Sequence, residues 1–421
     1  MRRSIPFVAV SLAAALTLAA CSGEAEPEVT EEPTETATET ATEEPTEEPT
    51  AAGTLTVWVD ETRQAGVEAA AAAFEAETGV VVETVLKNFG DIRTEFLAQV
   101  PTGEGPDVTV GAHDWLGEFL VNGVVAPVEL GDKAGEFEAM SISAFSQDGQ
   151  VYGVPYAIEN IGLIRNVDLA PEAPATWDDA IAAGEAAGTE FPILLQVGET
   201  GDPYTAYPLQ TSFGAPVFET NDDGSYRPVL ALGGEAGNAF ANWLAEQGAA
   251  GNLDTAVTYD IAVDAFANAK SPFIIGGPWM IGSFEGLNLA IDPIPSAGGS
   301  PAVPFAGVQG FYVSAQSANA LLANDFLVNY IATEEAQVTL AEAGGRGPAL
   351  TAALAAFADD PIISGFAAVG ADAAPMPSIP EMGSVWSFWG VTEAQIISGQ
   401  VDPVTGWEKM VADIQGALDA A

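Results

Sequence analysis

Leu55-Thr56-Val57-Trp58-Val59, an apolar run rich in β-branched residues, opens the stretch that decides the fold. An Ala-rich segment from about Gln64 to Glu77 follows with helical spacing, and Gly79 stands where a left-handed cap would end it. Val80 to Val85 reads as a second strand, Asp91 to Gln99 as a second helix, and Gly105-Pro106 as a break before a third strand at Asp107-Val108-Thr109-Val110. The β-α-β-α-β order predicts an α/β layer with parallel strands, because a helical crossover returns each strand in the same direction. Similar units recur downstream. Thr176 caps a helix through Ala187, Phe191 to Gln196 reads as a strand, and Gly237 to Gln247 as a helix. Phe273-Ile274-Ile275 runs into Gly276-Gly277-Pro278, a strand ending at a helix whose first position is Pro278.

Ahead of this body, Arg2 and Arg3 precede an uninterrupted small and aliphatic run from Ile5 to Ala20, the pattern of a secretory signal (residues 1–20). Cys21 closes Leu18-Ala19-Ala20-Cys21 and is the only cysteine of 421 residues, so it has no disulfide partner within the chain. A lone thiol at that place resembles the bacterial lipobox, in which the sulfur carries the lipid. Residues 22 to 50 are dominated by Glu, Pro, Thr and Ala without a lysine or arginine, which predicts an acidic, disordered tether over 21–52.

The formal charge is −49, from 60 acidic residues against 11 basic ones, and phosphate backbones or anionic lipid would be repelled by it. No nucleic-acid partner is expected. About 370 residues remain after the tether, more than one core usually serves, so two lobes are expected.

In open α/β sheets ligands sit beyond the carboxyl ends of strands. The residues found there are Asp60 to Arg63, Ala112-His113-Asp114-Trp115, Glu159, Asp202-Pro203-Tyr204 and Trp279. Carboxylates alternate with aromatics, and no nucleophile stands beside a base. A pyranose offers vicinal hydroxyls and a weakly apolar C–H face, so a site for it needs acids, an arginine and flat aromatic platforms. Each residue also has a structural reading: Asp60 and Asp202 as caps, His113 as a satisfied core histidine, and Trp279, Trp386 and Trp389 as core filling.

Gly103-Glu104-Gly105-Pro106-Asp107 with Ala112-His113-Asp114, Pro155-Tyr156-Ala157-Ile158-Glu159 with Leu163-Ile164-Arg165-Asn166, Gly277-Pro278-Trp279, Pro304-Phe305-Ala306-Gly307-Val308 and Met376-Pro377-Ser378-Ile379-Pro380-Glu381-Met382 resemble strings of the maltose/maltodextrin-binding proteins of ABC importers, in the same order. The resemblance implies a two-lobe periplasmic-binding-protein fold (type II) that closes on ligand as a hinge. It implies lobes at 53–157 plus 311–358 and 162–306 plus 361–421, with crossovers near 158–161, 307–310 and 359–360. By the same resemblance Glu61, Thr62 and Arg63 belong to a polar loop touching sugar hydroxyls, Asp114 binds a hydroxyl and Glu159 lies near the hinge. Tyr204, Trp279 and Trp386 match stacking aromatics, with Asp202 a neighbouring acid.

Three positions depart from the enterobacterial pattern: Gly111 replaces a tryptophan, and Trp115 and Gly390 replace arginines. Trp115 or Trp389 would then restore the lost contact surface. Gln309-Gly310-Phe311-Tyr312-Val313 is closer to Gram-positive members, in keeping with a lipid-anchored surface protein. The expectation is therefore a monomeric, non-enzymatic α-glucoside binder with no cofactor, held at the membrane by its lipid alone and served by the permease subunits of an ABC importer. A binder of another solute and a secreted glycoside hydrolase are the alternatives. One histidine and one cysteine exclude most zinc and copper sites, and Asn221-Asp222-Asp223-Gly224 reads as a tight turn rather than a calcium loop.

Overall fold

A computed structural model describes residues 53–221 and 226–420, all within the compact unit Pro49–Ala421. The expected signal segment, Cys21 and the tether lie outside the described residues, as does most of the turn at 221–224.

The opening stretch forms β1 (Thr54–Val59), α1 (Glu61–Thr78), β2 (Val81–Leu86), α2 (Phe89–Gln99) and β3 (Val108–Ala112). β1 pairs in parallel with β2, Thr54 opposite Val81 and Val59 opposite Leu86, and also with β3, Val57 opposite Val108. Strand Phe305–Ser314 then adds antiparallel to β3, and Gly153–Asn160 antiparallel to Phe305–Ser314. The first sheet is therefore parallel among β1, β2 and β3 and antiparallel where Phe305–Ser314 joins β3 to Gly153–Asn160. Leu55, Val57, Val59, Phe74, Phe96, Phe119 and Phe145 fill the core on this sheet.

Ile161 alone separates strand Gly153–Asn160 from Gly162–Asn166, the middle strand of a second, three-stranded sheet. Its neighbours, Phe273–Gly276 and Leu289–Asp292, both run antiparallel to it. A separate core built on Trp177, Phe240, Leu244, Trp389 and Trp407 packs here, with the helices Trp177–Ala187, Gly234–Ala250, Met382–Ile397 and Pro403–Leu418 supplying much of it.

The expected strand at Phe191 to Gln196 is absent. Leu194 makes a single bridge to Ile274, while Pro192 has no N–H to give a ladder. Ile193, Leu194 and Leu195 are nevertheless buried, so the apolar run there records burial rather than pairing. Thr176 caps its helix through a full capping box, its hydroxyl accepting from Asp179 N–H and the Asp179 carboxylate accepting from Thr176 N–H. Pro278 opens a 3₁₀ helix, Pro278–Phe284, as its fixed φ and missing N–H favour at a first turn.

Candidate functional site

A cleft of about 1100 Å³ is bordered by residues of both lobes, and all ten candidate side chains line it. On the first-lobe wall, Asp60 caps α1, its Oδ1 accepting from the Thr62 N–H and hydroxyl, each at 2.8 Å. Glu61, Thr62 and Arg63 thus form the first helical turn and not the loop expected of them. Arg63 is 2% exposed. Its Nη1 donates to Asp60 Oδ2 and its Nε to Tyr156 Oη, and its guanidinium lies 4.6 Å from the centre of the Phe89 ring.

Asp114 and Trp115 sit in a 3₁₀ turn, His113–Trp115, directly beyond β3. A Cβ on Gly111 would lie 2.7 Å from the Trp115 ring, so glycine there makes room for the indole of the following turn. Trp115 packs on Phe89 with centroids 5.1 Å apart and lines the cleft, whereas Trp389 is fully buried, donates to Gln210 Oε1 at 3.1 Å and takes no part in the cleft surface. Of the two tryptophans offered as replacements, only Trp115 is placed to serve.

The Asp114 carboxyl is pushed up to about 7 by burial, against the pull of Arg93 and of the Trp386 indole. Its Oδ2 accepts from Trp386 Nε1 of the second lobe at 3.2 Å. Glu159 lies inside strand Gly153–Asn160 with both oxygens engaged: Oε1 accepts from Gln309 Nε2 at 2.8 Å and Oε2 from Arg346 Nε.

On the second-lobe wall, Asp202 caps the helix Pro203–Ser212 through the Thr205 N–H at 3.1 Å and also accepts from Gln196 Nε2. The cap readings of Asp60 and Asp202 and their cleft readings are both met, because a cap at a strand-to-helix turn faces the strand ends. Tyr204 follows, 6.2 Å from Trp279 and stacked at 22° over Phe305. The Trp279 ring lies over Gly277, where a Cβ would come within 2.1 Å of it. Trp386 stacks on Trp389 at 5.5 Å, one indole facing the cleft and the other the core.

His113 is structural. Its Nδ1 accepts from Val308 N–H at 3.0 Å, which leaves the proton on Nε2 to donate to the Met376 carbonyl at 3.0 Å. Burial holds its pKa down at about 4.

Eight buried side-chain polar atoms among the described residues have no hydrogen-bond partner in the protein, and five belong to cleft residues. They are Arg63 Nη2, Asp114 Oδ1, Gln196 Oε1, Tyr204 Oη and Gln309 Oε1. Gln196, Gln309, Phe89 and Arg346 were not singled out from the sequence as site residues. For Arg346 a signal was available in the paired glycines before it; the others carry none. No cluster of His, Cys, Asp and Glu suited to a metal occurs among the described residues, and no described helix is long and apolar enough to cross a membrane.

The family model described as bacterial extracellular solute-binding protein matches residues 69–365. The galactooligosaccharide-binding protein of Bacillus subtilis is 28% identical over 386 residues, covering 87% of this chain and 90% of that protein. The maltodextrin-binding protein MdxE of the same organism is 30% identical over 350 residues, covering 79% and 82%. In structure, the Thermus thermophilus maltotriose binding protein bound with maltotriose matches with a TM-score of 0.79 and 31% identity, across 86% of this chain and all of that one. The two-lobe periplasmic-binding-protein fold is thereby established.

Proposed function

Since the chain belongs to the bacterial extracellular solute-binding proteins, we propose that it captures maltose- or maltodextrin-type α-glucosides by hinge closure and delivers them to an ABC importer. The observation that carries this is the set of five unpartnered polar atoms beside three aromatic faces, Tyr204, Trp279 and Trp386. Burying polar atoms without partners is costly, so a site that does so is built for a ligand that supplies them. Arg63 Nη2 requires an acceptor, Asp114 Oδ1 in its ionised form and the two glutamine oxygens require donors, and Tyr204 Oη takes either. A sugar hydroxyl is both donor and acceptor, and a pyranose adds the C–H face that an aromatic platform takes.

Glu61, Thr62, Arg63, Asp114 and Trp115 form the first-lobe half of this site, and Asp202, Tyr204, Trp279 and Trp386 the second-lobe half, with Glu159 holding the hinge side. Lobes at 53–157 plus 311–358 and 162–306 plus 361–421 rotate about crossovers near 158–161, 307–310 and 359–360. Closure is favoured by sugar because only then do both halves contact it. The protein acts as a monomer without catalysis, held by lipidated Cys21 and its acidic tether at the outer face of a Gram-positive-type membrane. The importer's permease subunits supply the route across it.

Calorimetric titration with maltose, maltotriose, longer maltodextrins, cyclodextrin, trehalose and galactooligosaccharides tests the reading. Heat with the maltodextrins is expected. Silence with every α-glucoside rejects the assignment, binding of the galactosides alone moves it to that class, and newly formed reducing ends would make the protein a hydrolase.

A further inference from the structure

Gly344 and Gly345 end the helix Glu334–Gly344 just ahead of Arg346, and each leaves room for something specific. A Cβ on Gly344 would come 2.9 Å from Arg346 Nη1, so its absence admits the guanidinium. A Cβ on Gly345 would come 2.5 Å from the carbonyl oxygen of Pro278 in the opposite lobe, and the residue has φ +68°. The turn therefore touches the backbone beside Trp279, and the Arg346 Cζ lies 5.4 Å from the centre of the Trp279 ring.

Arg346 is held from behind. Its Nε donates to Glu159 Oε2, and its Nη1 donates to Thr62 Oγ1 at 3.1 Å and to the Gly344 carbonyl at 3.3 Å. Among the described residues Nη2 has no hydrogen-bond partner, and the residue lines the cleft. A guanidinium is planar, so fixing Nε and Nη1 also fixes the direction of the remaining N–H groups.

We infer that Arg346 is a specificity-determining residue: through Nη2 it donates to an oxygen on the edge of the sugar ring whose face stacks on Trp279. The inference rests on the sugar reading above. A donor placed beside a stacking platform reads the rim of the ring while the indole takes its face, so it distinguishes sugars that bury the same apolar area. Lysine could not substitute, because a single ammonium cannot hold Glu159 and Thr62 and still present a fixed donor to a ligand.

The test is a cycle between protein and ligand. Wild type, Arg346→Gln and Arg346→Lys are titrated with maltotriose and with maltotriose analogues each lacking one hydroxyl. Arg346→Gln is expected to weaken maltotriose about tenfold or more, as loss of a charge-assisted bond does. For one analogue the wild type should lose the same factor while the variant loses nothing further. Arg346→Lys, which keeps a cation beside Glu159 and carries the test if the glutamine variant does not fold, should show the same pattern. Variants that weaken every ligand equally and keep every wild-type deoxy penalty give Arg346 a purely structural role and overturn the inference, as do variants that bind like wild type. Wild type that binds none of these sugars overturns the functional reading first, and this inference with it.

Discussion

On the first-lobe wall of the cleft, Asp60, Arg63, Glu159 and Arg346 are bonded to one another or to fixed neighbours such as Tyr156, Thr62 and Gln309. The second-lobe wall instead presents ring faces, Tyr204, Trp279 and Trp386, above a core of further aromatics. The first wall is a polar template whose charged groups are held before any ligand arrives, so little is lost in ordering them. The second contributes apolar area that gains most when water is displaced from both sides. A ligand that satisfies one wall alone forgoes half the interaction. Four of the chain's eleven basic residues, Arg63, Lys87, Arg93 and Arg346, line this cleft, all from the first lobe, so the template is locally far less acidic than the protein as a whole.

The sharpest division lies within one helix. Trp389→Ala removes a fully buried indole and should cost about 3 to 5 kcal/mol of stability, seen as a fall in Tm, with affinity little changed at temperatures where the protein is folded. A loss of affinity exceeding that of Trp279→Ala would show that Trp389 supports the site as well as the core, through the Trp386 ring stacked on it.

Next comes the cross-lobe contact of Asp114. Its folded pKa of about 7 lies above the ordinary value of 3.8, so the folded state holds this proton more tightly than the unfolded one. The stability it contributes is full below about pH 4 and is lost as pH rises toward 7, on the order of a few kcal/mol. Asp114→Asn has no such proton to lose. Relative to wild type it should melt at a higher temperature at pH 8 than it does at pH 4; two parallel pH–Tm curves would show that the carboxyl is not strained by burial.

Trp279→Ala should weaken sugar binding by about 2 kcal/mol or more with only a small shift in Tm, because the ring is half-buried and stands at the cleft. Unchanged affinity with a lowered Tm would assign the indole to the core. The smallest effect is expected from Tyr204→Phe, which removes a hydroxyl without a partner among the described residues. About 1 kcal/mol of affinity should go while stability holds or rises, since an unpaired buried oxygen is gone. Lower stability would reveal a protein partner for that hydroxyl.

The first half of the fold was readable because its strands are local, apolar and joined by helices, so periodicity and pairing coincide. The second half was less so: at Phe191 to Gln196 apolar residues are buried without forming a ladder, and Pro192 interrupts pairing in a way that composition disguises. The candidate site was legible where side chains follow strands, as with Asp114 and Trp279. Arg346 escaped because its meaning lies in its partners, Glu159 at a sequence separation of 187 and Thr62 at 284, a relation no local pattern records. The caps at Asp60 and Asp202 show the converse, in that one local rule placed two residues whose second role came from the fold.

His113 is the chain's single histidine, and it is wedged between the Val308 N–H of the strand leaving the second lobe and the carbonyl of Met376. The protein therefore carries one imidazole and one imidazole spectrum. A nitrogen-15 label in histidine alone would give two ring resonances beside the single backbone amide, reporting from the junction of the strand Phe305–Ser314 with the Met376 segment. Their positions and line widths would follow that junction through a titration without a dye or an added cysteine.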